Sequence, residues 1–406
     1  MKYALLVGDG MADYPVPELD GRTPLQAAEI PFMDEIARTG CSGLARTIPD
    51  GFAPGSDIGN LSLLGYDPVR HFTGRAPLEA VNLGISLGPD DVAFRCNIVT
   101  ISDGTMADFS AGHVSTSEAT QIIDSLNETM GDILTFHTGT SYRHVAVFNA
   151  KVIGSERLAA IENAQCTPPH DITGEPIASH LPKGVGAELL MEVMDRAATV
   201  LAHHPVTNQR RAADKHATNG IWLWGQGRVP RMPAFRELYG LHGAVISAVD
   251  LVKGIGKCAG LETIIVPGAT GYFDTNYLGK AQYALDTLKT NDFVYVHVES
   301  PDEAGHEGLI EEKVRCIEQF DKLVVGPIYS ELQKRGDFRV MTTCDHATPI
   351  VRRTHTMDMV PFAFAGTGTS PNGAVAFSES AADDTGCIVN EGYKLMSALI
   401  NGTVLS

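Results

Sequence analysis

The sequence of 406 residues predicts an α/β fold, with a mostly parallel sheet that carries helices on both faces. Short apolar runs rich in β-branched residues recur along the chain, and such runs suit strands that are covered on both faces. Segments with apolar residues at helical spacing separate these runs. Because alternating strands and helices are typical of a parallel sheet, the two patterns together favour this fold class.

The predicted strands and helices follow from these patterns. Four apolar runs predict core strands at residues 3–7, 263–267, 293–298 and 338–343. Helical spacing predicts helices at residues 31–39, which Gly40 would end, and at about 185–202, 243–259, 277–289 and 310–335. Each apolar run ends in polar residues, and ligands of such sheets bind outside the carboxyl ends of the strands.

The middle of the chain has a different pattern and predicts a second domain. Two half-buried strands at 94–100 and 142–148 would flank a helix at about 115–130. We therefore expect a smaller inserted α+β domain over residues 92–205, and a discontinuous core formed by residues 1–91 and 206–406.

Composition limits the partners of the protein. Its 31 basic and 49 acidic residues leave a net charge of −18, which argues against a nucleic-acid partner. No run approaches the roughly 18 apolar residues of a membrane span, so no membrane partner is expected. The seven cysteines form no CxxC pair and the first residues do not resemble a signal peptide, so we expect reduced thiols and a cytoplasmic location. The sequence does not indicate the oligomeric state.

Several polar residues near the ends of the strands are of the types that bind metal ions. They are Asp9, Asp302, His306, Asp345, His346 and His355. Mixed oxygen and nitrogen ligands suit Mn²⁺ or Zn²⁺, and six ligands exceed what one catalytic ion needs, so two ions are the natural number. Each residue alone has a simpler explanation, since an Asp at a strand–helix turn is often a helix cap.

Ser56 is the candidate nucleophile. It follows Pro54-Gly55 and opens an apolar segment, so it could simply be a helix N-cap. Alternatively, it could be a nucleophile at a helix N-terminus, where the backbone favours a phosphate and a metal would activate the hydroxyl. Cationic side chains that could bind an anionic substrate are Arg75, Arg143, Arg211 and Lys280.

Five motifs together resemble those of one family. They are Val-Gly-Asp9-Gly, the segment from Pro54 to Pro68, Thr-Gly-Arg75-Ala-Pro-Leu-Glu-Ala, the segment ending in Asp302-Glu-Ala-Gly-His306, and Cys-Asp345-His346-Ala-Thr-Pro. This order resembles the archaeal-type, cofactor-independent phosphoglycerate mutases of the alkaline phosphatase superfamily. The resemblance spans nearly the whole chain. It implies an alkaline-phosphatase-like α/β core that binds two divalent metal ions, with a smaller inserted domain that caps the substrate.

The resemblance also implies roles for individual residues. One ion would be held by Asp9, Ser56, Asp345 and His346, and the other by Asp302, His306 and His355. Mn²⁺ is the expected ion, with Mg²⁺, Zn²⁺ or Co²⁺ as alternatives. Ser56 would take the phosphoryl group of a small phosphorylated metabolite and return it to another hydroxyl. The reaction would interconvert 3-phosphoglycerate and 2-phosphoglycerate without bisphosphoglycerate.

Two segments depart from the archaeal pattern and leave alternatives open. Ser110-Ala-Gly-His113 replaces Arg-Ala-Gly-Arg, and Trp222-Leu-Trp224-Gly replaces Leu-Leu-Arg-Gly. The missing guanidinium groups weaken the case for a doubly anionic substrate. The chain here looks closest to a bacterial branch proposed to be homoserine kinases, in which Asp108, His113 or Asp171 would bind an ammonium group. A metal-dependent phosphatase or phosphonate hydrolase is the third alternative.

Overall fold

The computed structural model describes residues 1–404, and the chain divides into two compact units. The first unit combines Met1–Phe72 with the chain from Arg231 onward, and the second is Thr73–Pro230. Each unit has its own hydrophobic core. These boundaries differ from the predicted ones at 91/92 and 205/206. The reason is that a helix at Arg75–Asn82 and a strand at Gly220–Gly227 pack on a strand at Val92–Ser102.

The strands are, in chain order, β1 (Lys2–Gly8), β2 (Cys41–Ala45), β3 (Val92–Ser102), β4 (Thr105–Asp108), β5 (Leu134–Thr140), β6 (Arg143–Phe148), β7 (Gly220–Gly227), β8 (Gly243–Ile246), β9 (Glu262–Ile264), β10 (Phe293–Val298), β11 (Phe338–Thr343), β12 (Val360–Gly366) and β13 (Ile388–Val389).

The α-helices are α1 (Pro24–Ala27), α2 (Pro31–Thr39), α3 (Ser56–Leu63), α4 (Pro68–His71), α5 (Arg75–Asn82), α6 (Thr116–Met130), α7 (Ala150–Ile153), α8 (Ser155–Glu162), α9 (Ala187–Ala202), α10 (Pro205–Ala212), α11 (Phe235–Tyr239), α12 (Asp250–Cys258), α13 (Tyr277–Thr287), α14 (Ser300–Glu307), α15 (Ile310–Phe320), α16 (Gly326–Arg335), α17 (Glu379–Asp383) and α18 (Lys394–Asn401). Short 3₁₀ helices cover Pro17–Leu19, Pro169–Ile172 and Ile177–Ser179, and a π-helical turn covers Asp321–Val325.

The first unit contains an eight-stranded, mostly parallel sheet in the order β13-β2-β12-β11-β1-β10-β8-β9. Only the pairings of β12 with β11 and with β2 are antiparallel. The central strands β10 and β11 are buried at every position, which requires cover on both faces and explains their continuous apolar sequence. The predicted α/β fold class is therefore confirmed.

The second unit contains a five-stranded antiparallel sheet in the order β4-β3-β6-β5. The fifth strand, β7, pairs with β3 on the edge opposite to β6. Helix α6 begins with a capping box between Ser115 and Glu118 and packs on β5. The prediction of half-buried strands is wrong for both β3 and β6, because the first nine residues of β3 and the last five of β6 are buried. Strands flank each of them on both edges, and α5 packs on β3.

Most predicted elements of the first unit occur at their expected places. The helix expected over 243–259 is wrong in its first part, because residues 243–246 form strand β8. The helix expected over 310–335 contains the π-helical turn at Asp321, whose carboxylate accepts hydrogen bonds from the backbone of Phe32 and Met33. Within residues 1–404, no helix is long and apolar enough to cross a membrane.

Candidate metal centre

The metal-binding candidates meet at the carboxyl ends of three neighbouring strands. Strands β11, β1 and β10 are adjacent and parallel, so the residues that follow them lie at one edge of the sheet. Asp9 follows β1, Asp302 lies in the first turn of α14 after β10, and Asp345 and His346 follow β11. The topology thus brings together residues that are more than 300 positions apart in the sequence.

Two groups of three side chains are spaced closely enough to hold a metal ion each. One group contains Asp9, Asp345 and His346, and the other contains Asp302, His346 and His355, so His346 belongs to both. His346 Nε2 lies 3.4 Å from Asp9 Oδ1, and His355 Nε2 lies 3.5 Å from Asp302 Oδ1. His306 joins the second group, with its Nε2 3.2 Å from Asp302 Oδ2 and 2.9 Å from His355 Nε2.

Asp9 tests whether these residues fit a metal. Its side chain is fully buried, and within the described residues neither carboxylate oxygen makes a well-aligned hydrogen bond, although His297 Nε2 lies 3.1 Å from Oδ2 and His346 Nε2 lies 3.4 Å from Oδ1. A buried carboxylate without such a hydrogen bond is costly unless it is protonated or bound to a cation. Burial and the neighbouring Asp345 carboxylate raise the pKa of Asp9 well above its ordinary value. The donor set and this unsatisfied carboxylate therefore fit a divalent cation.

Ser56 is the first residue of α3, and its hydroxyl lies beside the candidate metal ligands. The Oγ lies 3.1 Å from His346 Nε2. The N-cap position of α3 belongs to Gly55, so the simpler explanation of Ser56 as an N-cap is wrong. Helix α3 can lie this close to the β11 end because Gly59 has no side chain, since a Cβ there would be 2.9 Å from the Cβ of Asp345.

A buried amide and a phenol hold the ends of α3 and β11 together. The Nδ2 of Asn60 donates to Asp345 Oδ2 at 2.6 Å and to the backbone oxygen of Ser56 at 2.8 Å. Tyr295 donates its hydroxyl to Asn60 Oδ1 at 2.5 Å. The hydroxyl of Thr348 donates to Asp302 and also lies 3.2 Å from His346 Nδ1. The candidate ligands are thus oriented by hydrogen bonds, as metal ligands usually are.

The two carboxylates Asp9 and Asp302 have opposite electrostatic surroundings. Burial by itself would raise the pKa of Asp302, but hydrogen bonds from His306 and His355 hold that pKa well below its ordinary value. Burial lowers the pKa of His306, yet the Asp302 carboxylate outweighs it and raises that pKa to about 9.

Lys280 is wholly buried behind the metal centre. Its Nζ donates to the backbone oxygen of His297 at 2.9 Å, and His297 Nε2 lies 3.1 Å from Asp9 Oδ2. Burial lowers the pKa of Lys280 to about 8. The observed contact is with the backbone of β10, so it does not by itself give Lys280 the expected role in substrate binding.

Within the second unit, two guanidinium groups contact the same carboxylate. Arg75, one of the predicted substrate-binding residues, has its Nε 3.3 Å from Glu79 Oε1, and Arg143, another of them, lies on β6, which pairs with β3. Arg95 Nε contacts Glu79 Oε2 at 2.9 Å, and its guanidinium lies 4.1 Å from the centre of the Trp224 ring. Arg143 is exposed and lies over the ring of Tyr142.

Comparison with known proteins identifies the family. The family model described as 2,3-bisphosphoglycerate-independent phosphoglycerate mutase matches residues 37–207. A mutase of that name from Methanothrix thermoacetophila is 52% identical over 405 residues, which cover 99% of this chain and 100% of the relative. The chain belongs to the 2,3-bisphosphoglycerate-independent phosphoglycerate mutase family.

Two further relatives support the assignment of the family and its fold. A probable mutase of the same description from the bacterium Geobacter sulfurreducens is 50% identical over 411 residues, covering 99% of this chain and 100% of the relative. The structure of a cofactor-independent phosphoglycerate mutase from Thermoplasma acidophilum matches with a TM-score of 0.66 and 27% identity, covering 99% of both chains. The predictions of an enzyme, of this family and of its fold are confirmed.

These relatives also bear on the homoserine kinase alternative. One carries a mutase name and the other is named a probable mutase, so the comparisons do not support that alternative. The absence of guanidinium groups in two segments had suggested that alternative. In one of these segments the Trp224 ring packs against the guanidinium of Arg95, so an arginine from another strand lies beside the segment.

The remaining predicted substrate-binding residues lie in varied places in the second unit. Asp108 accepts hydrogen bonds from the backbone of Ser110 and Gly112, so its carboxylate shapes a turn. The His113 ring contacts Tyr142, and the exposed Asp171 lies beside His170. Arg211 is exposed and donates to the backbone oxygen of Ala202 at the end of α9. These contacts do not support an ammonium-binding role for Asp108.

Sequence reasoning missed three residues whose contacts lie beside the candidate site residues. Asn60 and Tyr295 were hidden because a buried amide or phenol looks like any core residue until its partners are known. Arg95 had a visible signal, because an arginine in the middle of an apolar strand must find a partner when it is buried.

Proposed function

We propose that this protein interconverts 3-phosphoglycerate and 2-phosphoglycerate without bisphosphoglycerate, through a phosphoserine at Ser56 and with two divalent metal ions. The observation that carries the proposal is the position of the Ser56 hydroxyl, 3.1 Å from His346, which belongs to both groups of candidate ligands. The names of the relatives support the substrate.

The proposed ligands of one ion are Asp9, Ser56, Asp345 and His346, and those of the other are Asp302, His306 and His355. Divalent ions supply a lowered hydroxyl pKa and stabilise negative charge on a transferring phosphoryl group. Mn²⁺ is the ion we expect, since carboxylates and imidazoles together suit it.

The contribution of the chain itself is to hold one hydroxyl in place. Ser56 opens an eight-residue helix, and the backbone N–H groups of a helix N-terminus favour a phosphate. In the first transfer the Ser56 hydroxyl loses its proton and its oxygen bonds to phosphorus, while the substrate C3 oxygen leaves and takes up a proton. In the second transfer the C2 hydroxyl loses its proton and its oxygen bonds to phosphorus, while the Ser56 oxygen leaves and takes up a proton. Two displacements at one serine need no second phosphoryl donor.

The second unit supplies cationic groups for the anionic substrate. We propose that Arg75, Arg95 and Arg143 bind its carboxylate and phosphate, because guanidinium groups bind both in a bidentate manner. The first unit would then be the metal-binding part and the second the substrate-capping part. The partner is thus a small phosphorylated metabolite.

The test is a mutase assay on protein treated with a chelator and then supplied with Mn²⁺, Mg²⁺, Co²⁺ or Zn²⁺. Formation of 2-phosphoglycerate from 3-phosphoglycerate is measured without added bisphosphoglycerate, and the peptide that contains Ser56 is weighed for a phosphoryl group. Ser56→Ala should abolish both signals. Ser62→Ala is the matched control, because Ser62 lies in the same helix and its buried hydroxyl has no hydrogen-bond partner within residues 1–404.

Three results would contradict the proposal. They are mutase activity in Ser56→Ala, full activity of the chelated protein, and release of inorganic phosphate in place of 2-phosphoglycerate. The last result would indicate a phosphatase.

A further inference from the structure

Two half-buried cysteines lie side by side at one edge of the eight-stranded sheet. Cys41 begins β2, and Cys387 immediately precedes the edge strand β13. Strand β13 pairs with β2 in parallel, with Ile388 opposite Leu44, so Cys387 lies beside Gly43. All seven cysteines of the chain are free thiols in the structure.

The register places both side chains on the same face of the sheet. Residues two apart in a strand share a face, so the side chain of Cys41 lies on the face to which a Cβ of residue 43 would point. Such a Cβ would be 2.9 Å from the Cβ of Cys387. Because Gly43 has no side chain, Cys387 occupies the space over it, on the face of the sheet that also carries the Cys41 side chain.

Hydrogen bonds hold Cys387 in this position. Its backbone oxygen accepts from Leu44 N at 2.9 Å, and its backbone nitrogen donates to Thr385 Oγ1 at 3.1 Å. The same Thr385 hydroxyl donates to the backbone oxygen of Ser42 at 3.0 Å. The turn before β13 is therefore tied to β2 on both sides of the cysteine.

We propose that Cys41 and Cys387 are a redox-modification site, at which hydrogen peroxide or another small oxidant of that class joins them in a reversible disulfide. The Cys387 thiolate attacks one peroxide oxygen, which gives a sulfenic acid, and the other oxygen leaves as hydroxide and takes up the proton that the Cys387 thiol lost. The Cys41 sulfur then attacks the Cys387 sulfur and displaces the sulfenic oxygen, which leaves as water with the Cys41 proton. Two thiols lose two hydrogens in total, and one peroxide is reduced to two waters.

The electrostatics of the pair assign the first step to Cys387. The neighbouring Cys41 thiol lowers the pKa of Cys387 to about 7, and the Cys387 thiol raises the pKa of Cys41. Thiolates, not thiols, attack oxidants. Burial raises the pKa of two other half-buried cysteines, to about 12 for Cys166 and about 11 for Cys258, so these should react slowly.

The experiment uses the full chain, first with iodoacetamide at neutral pH and then, in a separate sample, with hydrogen peroxide. Alkylation of Cys387 should be at least about tenfold faster than that of Cys166 or Cys258. Peroxide should remove two titratable thiols, lower the mass by about 2 Da and give a linked peptide that contains Cys41 and Cys387. A dithiol should reverse all three changes.

Variants separate the two steps and serve as controls. Cys41→Ser should stop at a sulfenic acid on Cys387, which dimedone traps, and Cys387→Ser should keep Cys41 reduced. Cys258→Ser should behave like the wild type. The proposal is overturned if the thiol count stays unchanged after peroxide treatment, if the linked peptide contains another pair, or if Cys166 or Cys258 reacts as fast as Cys387.

Discussion

Replacing Asn60 by Ala should weaken both the fold and metal binding, because one amide joins three parts of the metal centre. The change removes the donors to Asp345 Oδ2 and to the Ser56 backbone oxygen, and the acceptor for Tyr295. Asp345 Oδ2 has no other hydrogen bond within residues 1–404, although its Oδ1 still accepts from the backbone of Gly10 and His346.

The size of the effect follows from these partners. A buried group left without its hydrogen bond costs about 1–3 kcal/mol, and the carboxylate belongs at the upper end. We therefore expect the free energy of unfolding to fall by about 4 kcal/mol. Loss of a partner that orients a ligand typically lowers metal affinity about 10–100-fold, so the Mn²⁺ concentration for half-maximal activity should rise by that factor.

The assay combines urea unfolding with mutase activity measured over a range of free Mn²⁺ concentrations. Tyr295→Phe is the matched control, because it removes one hydrogen bond to Asn60 and leaves both Asn60 donors in place. It should cost about 1 kcal/mol and barely change the Mn²⁺ requirement. An Asn60→Ala protein that needs no more Mn²⁺ than the wild type would refute the reasoning.

Three other substitutions test separate parts of the structure. Lys313→Met leaves the wholly buried Asp13 carboxylate without its partner at 2.7 Å, so urea denaturation should show a loss of about 3–5 kcal/mol, and an unchanged midpoint would argue against a charged pair there. Burial raises the pKa of Asp321 from 3.8 to about 7, so the folded state binds the extra proton and the free energy of unfolding should fall as pH rises through that window. Asp321→Asn should flatten this dependence in urea titrations, and an equally steep profile would contradict it. Arg143→Ala removes an exposed guanidinium, so the KM for 3-phosphoglycerate should rise about tenfold with little change in unfolding midpoint, and an unchanged KM would exclude Arg143 from substrate binding.

The strands that support the candidate metal centre were predictable because the apolar pattern that they need lies within each strand's own sequence. Strands at 293–298 and 338–343 occur where the apolar runs predicted them, since a strand covered on both faces needs apolar residues at successive positions. The same property misled at 243–246, because a short apolar run has no periodicity that separates a strand from a buried helix.

The π-helical turn at Asp321 had no local signal. The carboxylate there binds backbone N–H groups of α2, which lies nearly 290 positions away in the sequence. The contact can therefore be recognised only once the two helices are packed together.

The sequence by itself determined the α/β class, the order of the motifs along the chain and the residue types at the strand ends. The apolar pattern of a strand and the chemistry of carboxylates and imidazoles are local properties, so they can be recognised in short stretches of sequence. Only the tertiary structure decided that His346 belongs to both groups of candidate ligands, that Asn60 and Tyr295 support them, and that Arg75 and Arg95 share the Glu79 carboxylate. Those relations depend on distances between segments far apart in the chain, which strand order and helix packing set and which no local pattern encodes.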